Sequence, residues 1–106
     1  MPKYLLSANF TVDGVKGVLS KGGSARRAAA QAAVESVGGS LEAFYFAFGG
    51  TDAITIADVP DNAAAAALAL TVSGSGAATV ETTVLLTPEE LDAAAQAQVQ
   101  YTQPGQ

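Results

Sequence analysis

Ser40-Leu41-Glu42-Ala43-Phe44-Tyr45-Phe46-Ala47-Phe48, followed by Gly49-Gly50 and then by Thr51-Asp52-Ala53-Ile54-Thr55-Ile56-Ala57-Asp58, is the stretch on which the architecture turns. Both flanks are rich in aromatic and β-branched residues and read as strands. A glycine pair between two such runs signals a two-residue hairpin, because a type I′ turn needs positive φ at both central positions. Strands two and three are therefore expected to be antiparallel. Strand two is unusual in being apolar on both sides: Leu41, Ala43, Tyr45 and Ala47 alternate with Phe44, Phe46 and Phe48. A strand of an open sheet normally alternates apolar with polar, so this one asks for cover on each face.

Toward the N-terminus, Lys3 to Phe10 alternates as a first strand, with Tyr4, Leu6, Ala8 and Phe10 on one side and Lys3, Leu5, Ser7 and Asn9 on the other. Thr11 is a helix N-cap, Val15, Val18 and Leu19 follow at helical spacing, and Lys21-Gly22-Gly23 interrupts the helix before Ser24 caps a second run from Ala25 to Val37. Ala28, Ala29, Ala32 and Ala33 give that run a smooth stripe suited to lying close to a sheet. Toward the C-terminus, Pro60-Asp61-Asn62 opens an alanine-rich helix to about Ser73, and Ala77 to Leu86 is a fourth strand. Thr87-Pro88-Glu89-Glu90 is a complete helix start, with Thr at N-cap, Pro at N1 and Glu at N3, and the short helix runs to about Ala97. Strand, helix, strand, strand, helix, strand is the split βαβ order of an α+β, ferredoxin-like sandwich with an antiparallel sheet and helices on one face. The expected organisation is one domain over residues 1–97 and a polar C-terminal arm over 98–106, which either projects or adds an edge strand.

Composition narrows the chemistry. The 106 residues are 49% hydrophobic and 14% charged, which fits a packed globule rather than a disordered segment. There is no cysteine and no histidine, so a zinc site of N/S type, a haem ligated by His or Cys, a Ser-His-Asp triad and a thiol nucleophile are excluded. No metal site and no cofactor is expected. Glu89, Glu90 and Asp92 are accounted for by capping and by the positive end of their helix. Net charge is −5, and all five cations, Lys3, Lys16, Lys21, Arg26 and Arg27, fall in the first 27 positions. Nucleic acid and anionic membrane surfaces are thus poor partners. The longest apolar run, Ala63 to Leu70, falls far short of the 18 or more residues that span a bilayer. The expectation is a soluble, cytoplasmic protein.

Helices on one face leave the other face of the sheet bare, and a stripe with three phenylalanines is larger than a soluble monomer tolerates. Self-association of this chain through the open sheet face is the expectation, with a fold-back of the C-terminal segment as the alternative. Candidate site residues follow from what the faces carry. Arg26 and Arg27 sit in the first turn of a helix, against its dipole, unless an anion is present: a ligand carboxylate or phosphate, or Glu42, Asp52 or Glu81 of the same or a neighbouring subunit. Asn9 can polarise a bound carbonyl, and Phe44, Phe46 and Phe48 can hold an apolar ligand body. Glu81 is centred in strand four and, if enclosed, is a candidate general base or acid; otherwise it faces solvent or pairs with an arginine.

Several stretches together carry a resemblance: Met1-Pro2-Lys3-Tyr4-Leu5-Leu6, Gly14-Val15-Lys16-Gly17, Gly23-Ser24-Ala25-Arg26-Arg27, Gly38-Gly39-Ser40-Leu41-Glu42-Ala43-Phe44-Tyr45-Phe46 and Leu86-Thr87-Pro88-Glu89-Glu90. Over nearly its whole length the chain resembles the GYD-domain family of small bacterial and archaeal proteins. In that family the turn after the second strand reads glycine, any residue, tyrosine, aspartate, and the matching positions are Gly49, Gly50, Thr51 and Asp52. Threonine replaces the tyrosine, so no role of that ring carries over. The resemblance implies a ferredoxin-like fold akin to dimeric α/β barrels and implies no general activity. Three readings stand: an oligomeric module that binds or senses a small organic anion, a cofactor-independent oxygenase or isomerase with Glu81 as base, and a purely structural subunit.

Overall fold

A computed structural model describes residues 1–106. The elements are β1 (Lys3–Phe10), α1 (Val12–Ser36), β2 (Ser40–Phe46), β3 (Ala53–Asp58), α2 (Asn62–Gly74), β4 (Ala78–Leu85) and α3 (Pro88–Gln96). The strands form one sheet in the order β2-β3-β1-β4, every pair antiparallel. This is the α+β, ferredoxin-like arrangement expected from the element order, with an added C-terminal helix.

Local chemistry accounts for the element ends. Thr11, Asp61 and Thr87 each accept a hydrogen bond from a first-turn backbone N–H, from Gly14, Ala64 and Glu90 respectively. The capping box at α3 is complete, since the Glu90 carboxylate reaches back to the Thr87 N–H at 3.0 Å. Within α1 the expected interruption falls at Gly22, whose φ of 84° breaks the helix and lets a second segment restart at Gly23. Gly14 sits where a Cβ would lie 2.0 Å from the Ala77 carbonyl oxygen, so its lack of a side chain lets α1 touch the entry to β4.

Register decides which side chains meet the helices. Tyr4 and Leu6 of β1, Ala53 and Ala57 of β3 and Ala78 of β4 share the helix face and are buried with Val34 of α1 and with Ala65 and Leu68 of α2. The Tyr4 ring is 2% exposed, and its hydroxyl donates to the Asn62 side-chain oxygen at the start of α2. Lys3, Leu5, Ser7 and Asn9 point to the opposite face, beside Ile54, Ile56 and Asp58 of β3 and Thr79, Glu81 and Thr83 of β4.

Two expectations are corrected. The turn after β2 is not a two-residue hairpin: Phe46 pairs with Ala53, the loop spans the six residues between them, and Gly50 has no positive φ, as a type I′ turn would require. The loop is closed instead by the Ala47 N–H donating to the Asp52 carbonyl and the Asp52 N–H donating to the Ala8 carbonyl. The phenylalanines are also not on the bare face. An irregularity between Leu41 and Ala43 skips Glu42, so that Phe44 lies opposite Thr55 and Phe46 opposite Ala53, both on the helix side. Tyr45 and Ala43 are what β2 gives to the open face, opposite Ile54 and Ile56. Phe48 lies beyond the strand and is fully exposed.

Residues 86 to 106 neither fold back over the sheet nor add a strand: α3 and the tail are exposed throughout. The alternative of cover from the chain's own C-terminus is not met. No helix is long and apolar enough to cross a membrane.

Candidate functional site

Between the second segment of α1, the α2 residues Leu68 and Val72, and the helix face of the sheet lies a cleft. The cleft has a volume of about 100 Å³ and is lined mainly by Leu6, Ala8, Ala29, Ala33, Phe44 and Val80, with Arg26 and Thr55 as its polar side chains. The alanine stripe makes this possible, since bulkier residues at Ala29, Ala30 and Ala33 would fill the space. The Phe44 ring forms the wall on the β2 side and is fixed by an edge-on contact with Phe46, centroids 5.2 Å apart. Phe46 in turn lies against Phe10 at 6.3 Å and beneath Gly23, where a Cβ would come within 2.9 Å of the ring.

Arg26 stands where this apolar cleft meets a glycine-rich notch containing Gly14, Gly17, Lys21 and Gly22. Arg27, one residue on, borders a shallower depression with Gly23, Ser24, Phe44, Tyr45 and Phe46. Neither arginine is neutralised within the chain. The ion pairs are those of Lys3, with Glu42 and with Asp58 at 3.0 Å. None of the carboxylates offered by the sequence reaches either arginine: Glu42 is held by Lys3, Asp52 accepts from the Phe10 N–H at 2.8 Å, and Glu81 projects from the open face opposite Ser7. Lys3 has its pKa raised above 10.5, first by its hydrogen bond to Glu42 and then by that to Asp58.

The structure therefore brings together Arg26 with Phe44, and Arg27 with Phe44 and Phe46, but between α1 and the sheet rather than on the bare face. Asn9 and Glu81 belong to the open face and are exposed, and Phe48 lies in the turn, apart from both. No cluster of three or more carboxylates is placed to hold a metal ion. Thr55, which supplies the second polar group of the cleft, escaped the sequence reading because its facing depended on the register of β3. Asp52, read in the sequence as a match to the family turn and as a possible partner of the arginines, instead ties that turn to the end of β1 through its carboxylate.

That turn, the kinked first helix and the capping box fall within one homologous unit. The family model described as GYD domain matches residues 4–95. The chain belongs to the GYD domain family. No curated protein and no solved structure matches it. The GYD domain match spans β1 through most of α3, so the cleft, both arginines and Asp52 all lie inside it.

Proposed function

We propose that this GYD-domain protein is an oligomeric module that binds a small organic anion, with Arg26 holding the charged head and the cleft behind it holding an apolar body. The observation that carries the reading is Arg26 lining a mainly apolar cleft, with no carboxylate of its own chain to neutralise it. An unpaired guanidinium favours a planar carboxylate, which accepts two parallel hydrogen bonds. The cleft is well below the roughly 300–1,000 Å³ of sites for drug-sized ligands, so the fitting ligand is an acid of a few carbons. Self-association is part of the reading: Leu5, Ile54 and Ile56 lie half-buried on a sheet face that no helix covers, which favours a second copy packing there.

NMR titration with isovalerate, against isovaleramide as the uncharged control, tests it. Saturable shifts centred on Thr55 and Phe44 are expected for the acid, with binding weakened roughly tenfold or more by Arg26→Ala, since a charge-assisted hydrogen bond contributes about 1.5–3 kcal/mol. Equal response to acid and amide, or an Arg26→Ala variant that binds as well as the parent, would sink the reading. The enzyme reading puts its base at Glu81, on the opposite side of the sheet from the cleft, and Glu81→Gln is accordingly expected to leave isovalerate binding unchanged.

A further inference from the structure

We infer that the C-terminal arm of one copy, α3 with the segment to Tyr101, docks against the corner between α1 and β2 of a second copy, next to the cleft. The arm is amphipathic and has nothing of its own chain to rest on. Leu86, Leu91, Val99 and Tyr101 are between 59% and 76% exposed, a set of large apolar side chains that a solvated appendage has no reason to carry. Its charges are all acidic, Glu89, Glu90 and Asp92, and none is paired with a cation.

The corner between α1 and β2 has the complementary character. Arg27, Tyr45 and Phe46 border a depression of about 340 Å³ floored at Gly23 and Ser24, where Arg27 has no carboxylate partner and Tyr45 is 68% exposed. Charge selects this surface over the open sheet face, where Glu42, Asp58 and Glu81 outnumber Lys3 and would repel an acidic helix.

Topology makes the contact one between copies. The arm leaves the sheet from the C-terminal end of β4, where Leu85 lies beside Lys3, while the depression is at the far end of β2, where Phe46 lies beside Ala53. β4 and β2 are opposite edges of the sheet. Arm and depression thus occupy diagonal corners of one chain, and two copies related by a two-fold axis would satisfy both pairs at once. Phe44 lines both the depression and the Arg26 cleft, so a docked arm would form an outer wall of the cleft. The docking does not depend on what the cleft binds.

The absence of cysteine allows a direct test on the 106-residue chain. One chain carrying Leu91→Cys is mixed with another carrying Ser24→Cys, on the α1 side of the depression, both at exposed positions, and treated with a short bismaleimide. A covalent heterodimer is expected for this pair and not when Leu91→Cys is mixed with Ile54→Cys on the open face. Sedimentation of Arg27→Glu is expected to show roughly tenfold weaker self-association, restored when Glu89→Lys and Asp92→Lys are added to the same chain. A protein that stays monomeric at every concentration, coupling of Leu91→Cys to Ile54→Cys instead, or an Arg27→Glu defect that the reversed arm charges fail to restore would each overturn the docking. Loss of the isovalerate response alone would leave the cross-link intact, which separates this inference from the ligand reading.

Discussion

Asp52 illustrates how a single side chain can look like a site residue and serve the fold. Its carboxylate accepts from the Phe10 N–H at 2.8 Å, while its own backbone N–H and carbonyl bond to Ala8 and Ala47. One residue thereby joins the end of β1 to both sides of the turn that precedes β3. Asp52→Ala is expected to lower the unfolding free energy by about 1–2 kcal/mol, because a charge-assisted hydrogen bond is lost and a part-buried donor is left open. Asp52→Asn, which keeps an acceptor oxygen, should recover part of that loss in the same urea titration. The family turn keeps its aspartate at this position while its tyrosine is replaced by Thr51, which fits a structural task that the ring does not share.

Among the elements, α1 carries the most information about the site. Its glycines divide by what surrounds them. Gly14 faces the Ala77 carbonyl at a distance no Cβ could occupy, whereas Gly17 has open space around it and ordinary helical backbone. Replacing a helix-interior glycine by alanine usually stabilises by about 1 kcal/mol. Gly17→Ala should follow that rule. Gly14→Ala should reverse it and destabilise by about 1–3 kcal/mol, because helix and strand must separate to relieve the overlap. Thermal melts of the two variants side by side check the contrast. If both stabilise, α1 does not lie on the β4 entry as described, and the cleft that its second segment roofs would be shaped differently.

As a whole molecule the chain is under-enclosed. A folded monomer of 10.5 kDa is expected to expose about 5,400 Å², yet this one exposes 7173 Å² and buries only 10 of 106 residues. Its radius of gyration is 16.9 Å, against about 13 Å for a compact domain of this length. Exposed apolar side chains contribute to the excess surface on the arm, at Leu86, Leu91, Val99 and Tyr101, and on the helices, at Val12, Leu19 and Leu70. What ties the sheet together at its open side is Lys3, which bridges β1 to Glu42 on β2 and Asp58 on β3. Its folded pKa is raised above the unfolded value of 10.5. The stability it contributes is therefore complete below pH 10.5 and is lost as pH rises through the higher folded value. Urea midpoints measured from about pH 9 upward should fall more steeply for the parent than for Lys3→Met, which has no ammonium to titrate.

The capping residues Thr11 and Thr87, the helix start at Pro60-Asp61-Asn62, the break at Gly22 and the alternation of β1 were all legible in the sequence, because each depends on hydrogen bonds and steric limits within a few residues. From those elements, in that order, the ferredoxin-like arrangement followed. What the local pattern could not supply was facing. Alternation in β2 predicted three phenylalanines on one bare face, and the irregularity at Glu42 sent Phe44 and Phe46 under α1 instead, leaving Tyr45 outside. A residue skipped in the pairing exchanges the two faces of everything beyond it, and it is specified by cross-strand partners that lie far away in the chain. For the same reason Arg26 and Arg27 could be picked out as unbalanced charges at a helix start, but only the tertiary structure decided that one borders a cleft and the other a depression. Chain-local chemistry determined the elements and their ends; long-range register and the packing of α1 and α2 on the sheet determined where they make a site.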